Sequence, residues 1–201
     1  MLSSWINQKF LNADKLKTKF KANLPFPNLA LENFFNREKM IALLRALAKE
    51  QFHLKDSDLF TFFQTYDFRA TKNRPVKEFR DFFASPEFID YLSKISNTKL
   101  KNNPECFATI YQDTNYLLPH DDHVENRKIA YMVYLSNLSK KEGGTLNFYS
   151  SRKGLPLKIA KKIAVSFNTL VLFEVSKKSF HSVSEVTAKK QRLTVTGWFY
   201  D

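Results

Sequence analysis

Four glycines in 201 residues leave little room for a glycine-rich phosphate loop. A single cysteine, Cys106, excludes an internal disulfide and a zinc–cysteine cluster, and it fits a reducing compartment. No window approaches the roughly 18 consecutive apolar residues that a spanning helix needs. Residues 1–21 have no apolar stretch of the kind a secretory signal carries. They also contain no arginine and include Asp14, which argues against a mitochondrial presequence. These absences predict an intracellular, cytoplasmic protein that makes no membrane contact. What is present is apolar and aromatic: 43% hydrophobic residues and 20 phenylalanines can fill a core, so wholesale disorder is excluded. Lysine and arginine total 32 against 20 acids, a net charge of +12. The excess is spread over both halves, as either a solvated basic surface or an affinity for RNA-bearing or acidic partners.

The chain divides by texture near Pro104, without a domain boundary: residues 1–201 read as a single domain, with 1–104 supporting a core at 105–201. Residues 1–22 are lysine-rich and weakly amphipathic and read as helix. Leu24-Pro25-Phe26-Pro27 breaks it, and 28–31 is a short strand or loop. Residues 32–49 carry apolar positions at helical spacing, and 51–82 form a strand pair or a mobile loop. Ser85-Pro86 opens a second helix with a cap and a first-turn proline. After Pro104, eight short apolar runs alternate with turns, at 107–111, 116–118, 129–135, 145–149, 162–165, 170–174, 179–186 and 193–200. Many short, evenly spaced strands predict a mainly β, α+β architecture: a jelly roll with helices covering one of its sheets.

Four histidines limit the metal chemistry available. His120 and Asp122 stand at i and i+2 at a strand end, where alternation puts both on one face. His181 lies in a later strand. Two neutral imidazoles and one carboxylate leave three octahedral positions open, the arrangement of non-haem Fe(II) oxygenases. His-x-Asp alone is a weak signal, equally a polar turn with a satisfied histidine. Arg192, on the strand after His181, would reach the same cavity if the two strands are antiparallel neighbours. Its guanidinium suits the far carboxylate of a dicarboxylate that chelates iron at its other end. Thr194 shares a strand face with Arg192 and can add a hydroxyl. Asp121 faces away, while His123 and His53 are surface or packing residues.

The ordered blocks Leu117-Leu118-Pro119-His120-Asp121-Asp122, 127–135, Gly143-Gly144-Thr145-Leu146, 168–176, 179–186 and Arg192-Leu193-Thr194-Val195-Thr196-Gly197-Trp198-Phe199 carry a more specific message. Together they resemble the 2-oxoglutarate- and Fe(II)-dependent prolyl hydroxylases of the ribosomal-oxygenase type, densely over 105–201 and loosely back to Leu24. The resemblance implies a double-stranded β-helix, cupin-like fold with iron held by His120, Asp122 and His181. Arg192 would pair with 2-oxoglutarate, Tyr111 and Tyr134 would help hold it, and Leu117 and Trp198 would line the pocket. The implied cofactors are Fe(II), 2-oxoglutarate and O2, with ascorbate as an accessory reductant. The implied reaction hydroxylates a prolyl residue of a protein, with the decoding-centre protein of the small ribosomal subunit as the partner. Two departures stand out. Pro119 replaces a cysteine frequent in the family, and the second, non-catalytic β-helix domain of larger members is not found before Asp201, so substrate contacts are expected to differ.

Three rival readings share the fold and differ in what is bound. A nucleic-acid demethylase of this fold would carry R-x-N-x-T-x-R, but here Trp198 stands where the second arginine belongs. A small-molecule hydroxylase or a non-catalytic jelly-roll binding module would keep the fold with another ligand. Two basic clusters, Arg69, Lys72, Arg74, Lys77, Arg80 and Arg152, Lys153, Lys158, Lys161, Lys162, are either solvated faces or surfaces that bring RNA close.

Overall fold

The computed structural model describes residues 2–124 and 126–201. In chain order the elements are α1 (Leu2–Trp5), α2 (Ala13–Ala22), β1 (Asn28–Glu32), α3 (Arg37–Leu47), β2 (His53–Ser57), β3 (Phe60–Gln64), α4 (Arg74–Phe83) and α5 (Pro86–Ser96). The strands β4 (Phe107–Tyr111), β5 (Tyr116–His120), β6 (Arg127–Tyr134), β7 (Leu146–Arg152), β8 (Leu155–Ile163), β9 (Thr169–Glu174), β10 (His181–Val183) and β11 (Arg192–Tyr200) follow.

Asparagine and serine caps set the helix starts. Asn12, Asn36 and Ser85 accept from the backbone N–H of Lys15, Lys39 and Phe88, satisfying donors that a first turn leaves free. The expected helix over 1–22 is broken into pieces, because Asn7 and Asn12 each cap a new turn. Residues 51–82 contain the strand pair β2–β3, and then a helix that their composition hides. In α4, Val76, Phe79, Phe82 and Phe83 are buried at helical spacing, with a proline in the first turn. The pairs Arg74–Glu78 and Lys77–Asp81 line its outer face.

The strands form one continuous ladder in the order β1-β9-β6-β11-β4-β3-β5-β10-β7-β8, with β2 on β3. It rolls into two facing leaves. β3 is the seam: it pairs with β4 through Phe63 and Ile110, and with β5 through Phe60 and Leu117. This is the expected double-stranded β-helix. β8 begins at Leu155, earlier than the run at 162–165, because Lys153 and Gly154 adopt left-handed backbone (φ 51° and 75°) and turn β7 back into a hairpin.

Period-two alternation divides the core. On the larger leaf, Tyr131, Val133, Leu170, Leu172, Val195 and Phe199 face the helices and join their aromatic layer. Phe83 sits at its centre, in ring contact with Phe35, Phe79, Phe88, Tyr131 and Phe199. The alternate residues Ala130, Met132, Tyr134, Val171 and Phe173 point into the roll and meet Leu146, Phe148 and Val183 of the smaller leaf. The helices therefore cover one leaf and leave the inside of the roll for a site.

Candidate metal and cosubstrate centre

The open end of the roll holds a cavity of about 270 Å³, with His120, Asp122, His181, Arg192, Thr194 and Trp198 among its walls. His120 and His181 are direct cross-strand partners on β5 and β10, which places both rings on one face. Asp122 arrives by another route than alternation. β5 ends at His120, and Asp122 has φ 59°, so a left-handed turn swings its carboxylate back toward the two rings. One oxygen lies 3.4 Å from His120 Nε2 and the other 3.2 Å from His181 Nε2. Asp121 turns elsewhere: its carboxylate accepts from the His123 N–H and its carbonyl from Ser179 Oγ.

This donor set fits a divalent metal. The three side chains each offer a ligand atom, all within 4.8 Å of one another. Each imidazole is oriented the same way. Nδ1 of His120 lies 2.9 Å from the Leu118 carbonyl, and Nδ1 of His181 lies 2.8 Å from that of Ser179. A carbonyl only accepts, so Nδ1 carries a proton in each ring; Nε2 faces the carboxylate and the cavity, donating to Asp122 when the ring is protonated and offering a lone pair to a metal when it is neutral. Burial disfavours charge on Asp122, but the positive character of His181 and hydrogen bonds from both histidines outweigh it and hold the carboxyl well below the usual range. Burial likewise opposes the His120 imidazolium; the hydrogen bond and charge of Asp122 override it, and the net shift is upward. Burial, with His120 nearby, pushes His181 down.

Two further residues grip Asp122. Trp198 Nε1 donates to Oδ2 at 3.0 Å. Arg127 stacks on the Trp198 ring, 3.6 Å from its centroid, with a guanidinium nitrogen 3.7 Å from Oδ1. Trp198 was expected as a pocket wall. Arg127 was not singled out, and its place at the start of β6 gives no signal in the sequence beyond its charge.

Arg192 reaches the cavity from the opposite leaf. The expectation that its strand neighbours that of His181 is corrected: β11 pairs with β4 and β6, and β10 pairs with β5 and β7. The two leaves face each other, so both side chains still line one space. Arg192 is 1% exposed and forms no ion pair among the described residues. Its Nε donates to the Gly144 carbonyl at 2.9 Å, and the guanidinium lies against the rings of Tyr111 and Tyr134. Burial pushes both phenols up, so they are neutral hydroxyls. Tyr111 and Leu117 line the cavity, whereas Tyr134 stands behind Arg192 with its hydroxyl 3.5 Å from Nη2. The Thr194 hydroxyl is shared with that of Thr109 at 2.6 Å. Met132, Phe62, Phe107, Phe173 and Val183 complete an apolar wall that the sequence reading did not assign to the site. Met132 and Phe173 were legible in principle, since they alternate with the helix-facing residues of their strands.

The basic clusters behave differently from each other. In the first, Arg69, Arg74, Lys77 and Arg80 are all paired with aspartate or glutamate. In the second, Lys161 donates to Asn28 across the roll.

Comparisons with known proteins agree with this geometry. Residues 106–200 match the family described as the 2OG-Fe(II) oxygenase superfamily. The chain is 36% identical over 180 residues to the mouse prolyl 3-hydroxylase OGFOD1, covering 88% of this chain and 33% of the mouse protein. It is 35% identical over 195 residues to the prolyl 3,4-dihydroxylase OGFOD1 of Ostreococcus tauri, covering 88% and 38%. The chain thus spans about a third of the length of these curated relatives. A prolyl hydroxylase from Trichoplax adhaerens, solved with a hypoxia-inducible-factor peptide, has the same fold at a TM-score of 0.74 and 16% identity, covering 96% of this chain and 92% of that one. Residues 106–200 are a 2OG-Fe(II) oxygenase domain, whose cofactors are Fe(II), 2-oxoglutarate and O2, within a chain homologous to the prolyl hydroxylases of the OGFOD1 type.

Proposed function

We propose that this protein is an Fe(II)- and 2-oxoglutarate-dependent dioxygenase that hydroxylates a prolyl residue of a protein. One observation carries the reading. A buried guanidinium without a carboxylate partner among the described residues faces the same cavity as two Nε2 atoms and a carboxylate. An unpaired buried cation is costly unless a ligand supplies the anion. A dicarboxylate with one end on the metal and the other on Arg192 satisfies both ends of the site.

The roles follow from position. His120, Asp122 and His181 would hold the metal on one side and leave the other open. Arg192 would pair bidentately with the far carboxylate of 2-oxoglutarate. Tyr111 would flank the cosubstrate, Tyr134 would steady the guanidinium, and Thr194 would offer a hydroxyl. With Fe(II), 2-oxoglutarate and O2 bound, the centre supplies an oxidant that hydroxylates an unactivated C–H bond, releasing succinate and CO2. The apolar walls from Phe62, Leu117, Phe107 and Val183 would keep water out. Leu59 and Leu118 are exposed and also line the cavity, so they mark its opening and suit an apolar pyrrolidine ring.

The proposed partner is the decoding-centre protein of the small ribosomal subunit, met in the cytoplasm. It rests on the family resemblance, with the +12 charge favouring encounters beside RNA. No described helix is long and apolar enough to cross a membrane. The test is a panel of proline-containing peptides and ribosomal proteins incubated with the protein, Fe(II) and 2-oxoglutarate. The expected result is one oxygen gained on a proline, with matching succinate. Succinate formation that responds only to small molecules would discard the protein substrate. No metal-dependent consumption of 2-oxoglutarate would discard the enzyme.

A further inference from the structure

The hairpin of β7 and β8 carries a surface that the oxygenase site does not use. β8 is the last strand of the smaller leaf and pairs only with β7 among the described residues, so its outer edge presents free backbone donors and acceptors. It is nine residues long, and Leu155, Leu157 and Ile159 are 66%, 61% and 41% exposed. A long apolar edge is a liability in a free protein, and natural sheets normally shorten or cover it.

The charge around this edge is one-sided. From Gly143 to Phe173 the chain contains no aspartate or glutamate. Arg152, Lys153, Lys158 and Lys162 are exposed and make no ion pair among the described residues, unlike Arg69, Arg74, Lys77 and Arg80. A second copy of this chain is a poor occupant, because antiparallel pairing of two such edges would bring like charges together. Bare RNA would use the cations but leave the leucines and the backbone edge unmet.

We propose that β8 is a docking edge for an extended, acidic polypeptide segment of a partner protein, which adds to the smaller leaf as a further strand. Main-chain hydrogen bonds along the edge would give the pairing, Leu155, Leu157 and Ile159 would take apolar side chains, and the surrounding cations would take carboxylates. The site is separate from the cavity, so the proposal stands or falls independently of the oxygenase reading.

The test uses the full chain and a short labelled peptide of alternating Glu and Val, measured by fluorescence anisotropy. Binding should weaken as salt rises. Leu157→Gln and the double variant Lys158→Glu, Lys162→Glu should each weaken it roughly tenfold or more. Both alter exposed positions, so near-UV circular dichroism and metal affinity should match the parent. The same peptide N-methylated at alternate backbone amides should not bind. Equal binding of the methylated peptide, indifference to the β8 variants, or binding of single-stranded RNA without binding of the peptide would each overturn the proposal.

Discussion

The Asp122 carboxylate receives contacts from two imidazoles, an indole N–H and a guanidinium, while the Asp121 carboxylate beside it accepts from the backbone N–H of His123 in its local turn. Asp122→Ala, His120→Ala and His181→Ala should therefore each abolish high-affinity Mn(II) or Fe(II) binding in titration calorimetry. Asp121→Ala should keep it within a few-fold, and the reverse pattern would invert the assignment. The proton inventory gives a second expectation. Asp122 is held ionised and His181 is pushed toward its neutral form, so His120, raised above its ordinary 6.5, is the group a metal must deprotonate. Metal affinity should fall by about tenfold per pH unit below the raised His120 value and level off above it. Calorimetry in buffers of different ionisation enthalpy, run on either side of that point, should find more protons released at the lower pH, and a release that does not change with pH would contradict it. The types and order of the candidate ligands were legible in the sequence, because only a few residue types bind iron and four histidines left few choices. The way Asp122 reaches the site was not. Alternation predicted the right neighbour for the wrong reason, and a left-handed residue outside the strand does the work.

Arg192 owes its direction to another element, the turn before β7. Gly144 has φ 68°, its carbonyl holds Arg192 Nε, and a Cβ there would lie 3.2 Å from Arg192 Cδ. Gly144→Ala should lower stability by about 1–2 kcal/mol through left-handed strain and also weaken 2-oxoglutarate binding. Gly154 has φ 75° with nothing near its missing Cβ. Gly154→Ala should cost similar stability and leave 2-oxoglutarate binding unchanged, so the pair separates strain from contact with Arg192. Thermal unfolding and equilibrium titration read the two quantities, and equal 2-oxoglutarate affinities in the two variants would remove the turn from the site. Most strands after Pro104 were readable, because each is a short apolar run between turn residues. α4 was not, since its four buried residues are spread among Arg, Lys, Glu and Asp, and its proline and i,i+4 charge pairs were the overlooked signs. The expected neighbourhood of β10 and β11 failed for a topological reason: β9, β10 and β11 lie in the larger, the smaller and again the larger leaf, which no local pattern reports.

At the scale of the whole molecule, the helical half and the roll share one aromatic layer. A fragment of residues 105–201 would expose Tyr131, Val133, Leu170, Leu172, Val195 and Phe199 to water. Burial of such side chains is worth about 1.5–3 kcal/mol each, more than a domain's usual margin when summed. The fragment should show no cooperative unfolding transition in near-UV circular dichroism, although it contains every proposed ligand; a cooperative transition with parental metal affinity would make the two halves separable. The seam strand has a consequence for how chains of this kind diverge. β3 lies outside residues 106–200, yet Phe60, Phe62 and Gln64 form part of the cavity wall and the strand ties the two leaves together at the opening. Chemistry and admission are thus written in different stretches of chain. Two proteins alike across the oxygenase domain can share a reaction and differ in what they let in, with selectivity free to drift through a hairpin that holds none of the reactive groups.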